Sequence, residues 1–152
     1  MATTTAMCNT FKAEIGQALH NFTITTGNVF KIALIKVSPA GTYGAGSTNY
    51  SDITGNSDEV SGTGYTGGGF AWTAAQNLTP VVNSSQGCYS WSTNPSWTTA
   101  TFSTTAGMIY NSTNSNRATS TYDFGGTQTV SAGTLTLVLP AQTANNAIIR
   151  IQ

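Results

Sequence analysis

The clearest periodicity lies near the start of the chain, where Phe11, Ile15, Ala18, Leu19 and Phe22 recur at the spacing of one helical face. Asn9 or Thr10 can cap such a helix through a side-chain oxygen. Glu14 then falls towards the positive end of the helix dipole and His20 towards the negative end. Beyond Phe22 the pattern becomes that of strands. Lys31-Ile-Ala-Leu-Ile-Lys-Val37 predicts a strand ended by Ser38-Pro39. Shorter strands are predicted at Phe70–Thr73, at Val81 and Val82, and over Gly87–Trp91, Trp97–Phe102 and Met108–Tyr110. Ala118, Ser120, Tyr122 and Phe124 share one face of the next strand, and Gly125-Gly126 predicts a turn after it. Thr134–Leu139 alternates until Pro140, and Ala147–Ile151 closes the chain.

Roughly seven to nine short strands at near-regular spacing, with turn signals between them, predict an all-β fold. The expected architecture is an antiparallel β-sandwich or jelly roll with one short N-terminal helix. No alternation of strands and helices argues for a parallel sheet. Residues 1–8 have no periodicity and are expected to form a flexible arm, mobile or docked on a neighbour. Residues 9–152 then form a single β-sandwich domain. Inside it, about 40–69 is rich in Gly, Ser, Thr and Tyr, and a loop of that length is usually functional or ordered by a partner.

Composition sharpens this picture through one deficit. Only 7% of the 152 residues are charged, where about 25% is typical, and there is a single histidine. A chain so poor in acids, bases and metal ligands has little with which to transfer protons, so the expectation is an interaction protein and not an enzyme. Five basic and five acidic residues give zero net charge, and they are spread thinly. Nucleic-acid binding needs clustered Lys and Arg to release phosphate counterions, so none is expected. A membrane partner is not expected either, for want of a basic amphipathic helix or an apolar run of about 20 residues. The first twenty residues lack the cationic and apolar regions of a secretory signal, which points to synthesis in a cytoplasm. Cys8 and Cys88 could form one disulfide, but two buried free thiols are the favoured reading in a reducing compartment.

Four groupings merit chemical attention. Gly62-Thr-Gly-Tyr-Thr-Gly67 spells a dinucleotide fingerprint, but no helix follows it to meet a pyrophosphate, so a glycine turn is expected. Asp52, Asn56, Asp58 and Glu59 bring oxygens together without the spacing of a calcium loop, which reads as a solvated loop with no metal or other cofactor. His20 and Glu14 are six positions apart and do not share a helical face well, so His20 is assigned a dipole or hydrogen-bond role. Glu14 and Asp123 are the acids least bound to loops, and a hydrolase would need such a carboxylate pair. No catalytic residue is assigned. Finally, Tyr43, Tyr50, Tyr65 and Trp72 punctuate the glycine-rich stretch. They are the candidate interface residues if exposed, and a lid on the sandwich core if not. Trp91, Trp97 and Phe102 are assigned to the core.

Several segments stand in order along nearly the whole chain: Phe11-Lys-Ala-Glu-Ile15, Lys31-Ile-Ala-Leu34, Tyr43-Gly-Ala-Gly-Ser-Thr-Asn-Tyr50 and Glu59-Val-Ser-Gly-Thr-Gly-Tyr65-Thr-Gly-Gly. Met108-Ile-Tyr-Asn-Ser-Thr113, Tyr122-Asp-Phe-Gly-Gly126 and the ending Asn146-Ala-Ile-Ile-Arg-Ile151 continue them. Together these segments resemble small virion structural proteins of tailed bacteriophages. It departs over Val81–Trp97, where Cys88, Trp91 and Pro95 stand in place of a plainer strand pair. The resemblance implies a head decoration or cement protein on the outer capsid, a small sandwich or jelly roll that ties major capsid protein subunits together. Its expected partners are the major capsid protein and itself, as a homodimer or homotrimer. It brings no catalytic residues. The alternative is a tail or adhesion module that grips host-surface glycan with the loop aromatics, although no trimerising repeat is visible.

Overall fold

In this computed structural model of the protein, residues 2–143 and 145–152 are described. The fold is mostly β, with two antiparallel sheets and little helix. In chain order the elements are β1 (Ala6–Met7), α1 (Asn9–Ile15), β2 (Phe30–Ile35), α2 (Ser51–Gly55) and β3 (Phe70–Trp72). A 3-10 turn (Ala74–Gln76), β4 (Val81–Asn83), β5 (Gln86–Tyr89), β6 (Ser96–Asn111), β7 (Arg117–Thr136) and β8 (Ile149–Ile151) complete it. The larger sheet has the order β1-β7-β6-β2-β3 and the smaller one β4-β5-β8.

The two sheets meet through aromatic rings. Trp72 of β3 stacks on Trp91 at 4.5 Å between ring centres, and Phe30 of β2 lies 5.5 Å from the same indole. Phe22 stacks on Phe30 at 4.5 Å and reaches Tyr89 of β5 at 4.8 Å. Trp91, Trp97 and Phe102 are buried, as expected for core residues. Two of the three buried indoles find protein acceptors here: Trp72 Nε1 donates to Thr93 O and Trp91 Nε1 to Asn77 Oδ1. That matters because an unpaired buried N–H costs about 1–3 kcal/mol.

Three expectations change. The helix stops at Ile15, with Gly16 as its C-cap, and Ala18 takes a left-handed φ of 55°. Phe22 therefore reaches the core from the segment after the helix. Its N-cap is Cys8, which makes no side-chain cap bond, so neither Asn9 nor Thr10 caps it. The segment read as a flexible arm is bound to its own body. Thr4 N donates to Tyr43 O, Ala6 and Met7 pair with Thr121 and Ser120 of β7, and Cys8 is fully buried. Gly125-Gly126, read as a turn, lies within β7. Asp123 pairs with Ala106 and Gln128 with Thr104, so Phe124–Thr127 form a wide bulge opposite Thr105. β6 continues on both sides of that bulge and holds β7 together as one strand. Four predicted segments thus merge into two long strands joined by a hairpin turn at 112–116.

Candidate functional site

The 40–69 stretch folds back along β2. Ile35 pairs with Glu59, Val60 N donates to Leu34 O, and Lys36 N donates to Asp58 O. These contacts extend the sheet past the point where β3 leaves β2, and they place two adjacent carboxylates on opposite tasks.

Asp58 has no solvent exposure. Its Oδ1 accepts from Ala40 N at 2.9 Å, and its Oδ2 accepts from Gly41 N at 2.7 Å and from the Tyr43 hydroxyl at 2.6 Å. Lys36 Nζ lies 3.1 Å away with a half-exposed side chain. Burial alone would raise the Asp58 pKa, but these donors outweigh it and hold the carboxyl well below its ordinary value. Tyr43 is pushed up to about 12 by its own burial and by donating to Asp58. Glu59 accepts from the Tyr50 hydroxyl at 2.6 Å through Oε2, and from the Tyr65 hydroxyl (2.8 Å) and Gly68 N (2.7 Å) through Oε1. The Tyr65 hydroxyl in turn accepts from Leu34 N at 2.9 Å. Tyr50 stacks on Tyr110 at 4.6 Å. Burial raises the pKa of both Tyr50 and Tyr65, and Glu59 adds to the shift.

The structure therefore places the four candidate interface residues inward. Tyr43 and Trp72 are 1% and 0% exposed, and Tyr50 and Tyr65 are half-buried with their hydroxyls on Glu59. They form the lid on the core, because the two carboxylates give each phenol a buried acceptor. A surface reading of Tyr43 or Trp72 fails for want of exposure. The expected solvated acidic loop also needs correction, since Asp58 is sealed and Asp52, in the first turn of α2, accepts through Oδ2 from Thr48 N and Asn49 N of the segment before the helix. Among the described residues, no group of three His, Cys, Asp or Glu side chains is placed to hold a metal ion. Gly62 and Gly64 of the glycine fingerprint sit against β6, where a Cβ on Gly64 would come within 2.8 Å of Ala100 Cα.

A second polar cluster had no local signal. Glu14 Oε2 lies 2.7 Å from His20 Nε2, and its Oε1 accepts from Arg117 Nη1 at 2.6 Å. The pair meets because the helix ends at Ile15 and the chain turns back. On its other side His20 Nδ1 lies 3.2 Å from Asn111 Nδ2. Asn114 N donates to Asn111 Oδ1, which fixes the orientation of that amide. Nδ1 is therefore the acceptor, the ring proton sits on Nε2, and the imidazole is neutral. Burial lowers the pKa of His20 in keeping with this. A Glu–His pair in this tautomer could serve a nucleophile at Nδ1, but Asn111 fills that position and the side chain has no exposure. The cluster is a clip that ties α1 to β6 and β7. Asp123, the other half of the hypothetical acid pair, accepts from Gly125 N instead.

Cys8 and Cys88 are buried free thiols. Burial, with help from Asp52 and Glu14, pushes the Cys8 thiol up to about 12. A groove of about 370 Å³ runs between the large sheet and the segment before β8, lined by Ile109, Tyr122, Phe124, Leu137, Leu139 and Ile148 among others. No described helix is long and apolar enough to cross a membrane. No family model, no curated protein and no solved structure matches this chain.

Proposed function

We propose that this chain is a head decoration or cement protein of a tailed bacteriophage, made in the host cytoplasm, that binds the outer capsid and ties neighbouring major capsid protein subunits together. The observation that carries this reading is where the acids are spent. All five carboxylates, Glu14, Asp52, Asp58, Glu59 and Asp123, accept hydrogen bonds from fixed donors of the fold. Charge serves to hold the scaffold together. What remains outside is a Thr-, Ser-, Gly- and Asn-rich β surface.

Such a surface is suited to passive bridging. A rigid scaffold loses little conformational freedom on docking, and few charges need to be desolvated. One contact of this kind is weak, but repetition over an icosahedral shell multiplies it through avidity. Zero net charge fits the outside of the shell better than contact with packaged DNA, which selects basic proteins. The resemblance to virion structural proteins points the same way. The test is to titrate the purified chain onto heads assembled without it. Saturation at a fixed ratio to the major capsid protein, with heads that then resist higher temperatures, is the expected result. Heads that bind none of it would overturn the proposal.

A further inference from the structure

We propose that the outer edge of β7, over Thr127–Ser131, is the surface on which a second copy of this chain pairs, strand to strand and antiparallel about a two-fold axis. The two long strands have unequal surroundings. Near the hairpin turn, β6 is flanked by β2 and β7 is flanked by β1. In the outer half, Ser96–Thr104 of β6 pairs with Gln128–Thr136 of β7. There the chain covers one edge of the ribbon and not the other. Thr101 N donates to Thr63 O, and Gly64 packs against Ala100 where no Cβ would fit, so the β6 edge is closed. Among the described residues, β1 pairs with β7 only at Ser120 and Thr121, which leaves the edge beyond the glycine bulge without a neighbouring strand.

An open edge presents rows of backbone N–H and C=O groups, and proteins usually blunt it with charge, proline or bulges. This one has no charge and no proline, and its bulges lie at the two ends of Gln128–Val130 and leave those residues flat. Thr127-Gln-Thr-Val-Ser131 is uncharged and free of proline, with exposed side chains at Thr127, Gln128, Thr129 and Ser131. Gln128–Val130 pair with β6 in unbroken register, and the next bulge, at Ser131 and Ala132 (φ 47°), follows them. Charge placement supplies an independent argument. No Asp, Glu, Lys, Arg or His occurs at 60–116 or at 124–149. The whole outer ribbon and the loop that covers its β6 edge therefore carry no charge, as at the centres of protein interfaces. An edge of this kind suits its own copy: the two-fold sets each backbone row against an identical one, and no like charges meet.

The proposal concerns the isolated chain and needs no capsid, so its failure would leave the cement reading standing. The test is sedimentation equilibrium of the purified protein over about 10–500 μM, a range suited to a small interface. Hydrogen exchange at both ends of that range accompanies it. The expected result is a monomer–dimer equilibrium in which the amides of Thr127–Ser131 that point away from β6 exchange about tenfold more slowly at high concentration. The double variant Thr127→Lys with Ser131→Lys sets like charges across the two-fold and should weaken the dimer about tenfold or more. Both side chains are exposed, and circular dichroism checks that the variant folds; if it does not, the wild-type exchange result decides alone. A monomer throughout, exchange at Thr127–Ser131 that ignores concentration, or a dimer of a folded variant with unchanged affinity would each overturn the assignment.

Discussion

Replacing Asp58 with Asn changes one atom and tests whether this carboxylate organises the loop. The Asn Oδ1 can still accept from Ala40 N. The new Nδ2 donor, however, would face Gly41 N and the Tyr43 hydroxyl, the two donors that Oδ2 accepts at 2.7 and 2.6 Å. Gly41 N loses its acceptor and the Tyr43 hydroxyl keeps only the longer bond it donates to Asp52 O at 3.2 Å, at about 1–3 kcal/mol each, and part returns because a neutral side chain costs less to bury. Lys36 adds at most about 1 kcal/mol, since its side chain is 40% exposed. The expected loss is about 2–4 kcal/mol, or about 5–15 °C in Tm for a chain of this size. Urea unfolding at pH 7 should show the midpoint moving with its slope unchanged. The Tyr43→Phe variant should lose less, and the double variant less than the sum, because both remove the same bond.

The same residue predicts an acid dependence. The folded pKa of Asp58 lies below its ordinary value of 3.8, so its contribution is full above that pH and is lost as pH falls towards the folded value. The wild type and Asp58→Asn should therefore converge in stability as the solution is acidified from pH 4 to about pH 2. A loss below about 1 kcal/mol at pH 7 would refute the reasoning, as would an equally steep acid slope in the variant.

His20 should make the fold less stable as pH drops below 6.5, because the unfolded chain takes up a proton that the buried ring refuses. The slope is at most about 1.4 kcal/mol per pH unit and should vanish in His20→Gln; urea unfolding between pH 7.5 and 5 reads it. Trp72→Ala, which empties a fully buried site stacked on Trp91, should cost about 3–5 kcal/mol, whereas Trp72→Phe should keep the fold and lose the near-UV signal of the stacked pair. Gly69 has a φ of +76° and a Cβ there would lie 1.9 Å from Ile32 O, so Gly69→Ala should destabilise by more than about 1 kcal/mol while Gly46→Ala, with open space, stays within about 0.5. Both thiols should react slowly with a disulfide reagent in the native protein and rapidly in urea; fast native labelling of Cys8 would contradict its burial.

What the sequence discloses depends on how far apart the interacting residues stand. Strands with short unbroken apolar runs, such as Lys31–Val37 and Met108–Tyr110, announce themselves because such a run needs only neighbours to be read. Gly125-Gly126 misleads because local chemistry cannot reveal that β6 pairs on both sides of the bulge. The short arm has no pattern, yet a two-residue strand and the buried Cys8 suffice to dock it. Composition alone could not place the loop tyrosines. Tyr43 turns inward because Asp58, fifteen residues on, is buried to receive it, and Tyr50 and Tyr65 share Glu59. The Glu14–His20 contact joins residues six apart only because the helix is shorter than its apolar spacing suggests, and Arg117 arrives from 103 positions away.

The measurement that bears most directly on the proposed role is cryo-electron microscopy, with mass spectrometry, of particles from the genome that encodes this chain. A decoration role requires a small β-rich density on the outer head, bridging major capsid subunits in fixed ratio. Density at the tail tip alone would contradict it in favour of host binding. Absence from the particle would contradict every virion role.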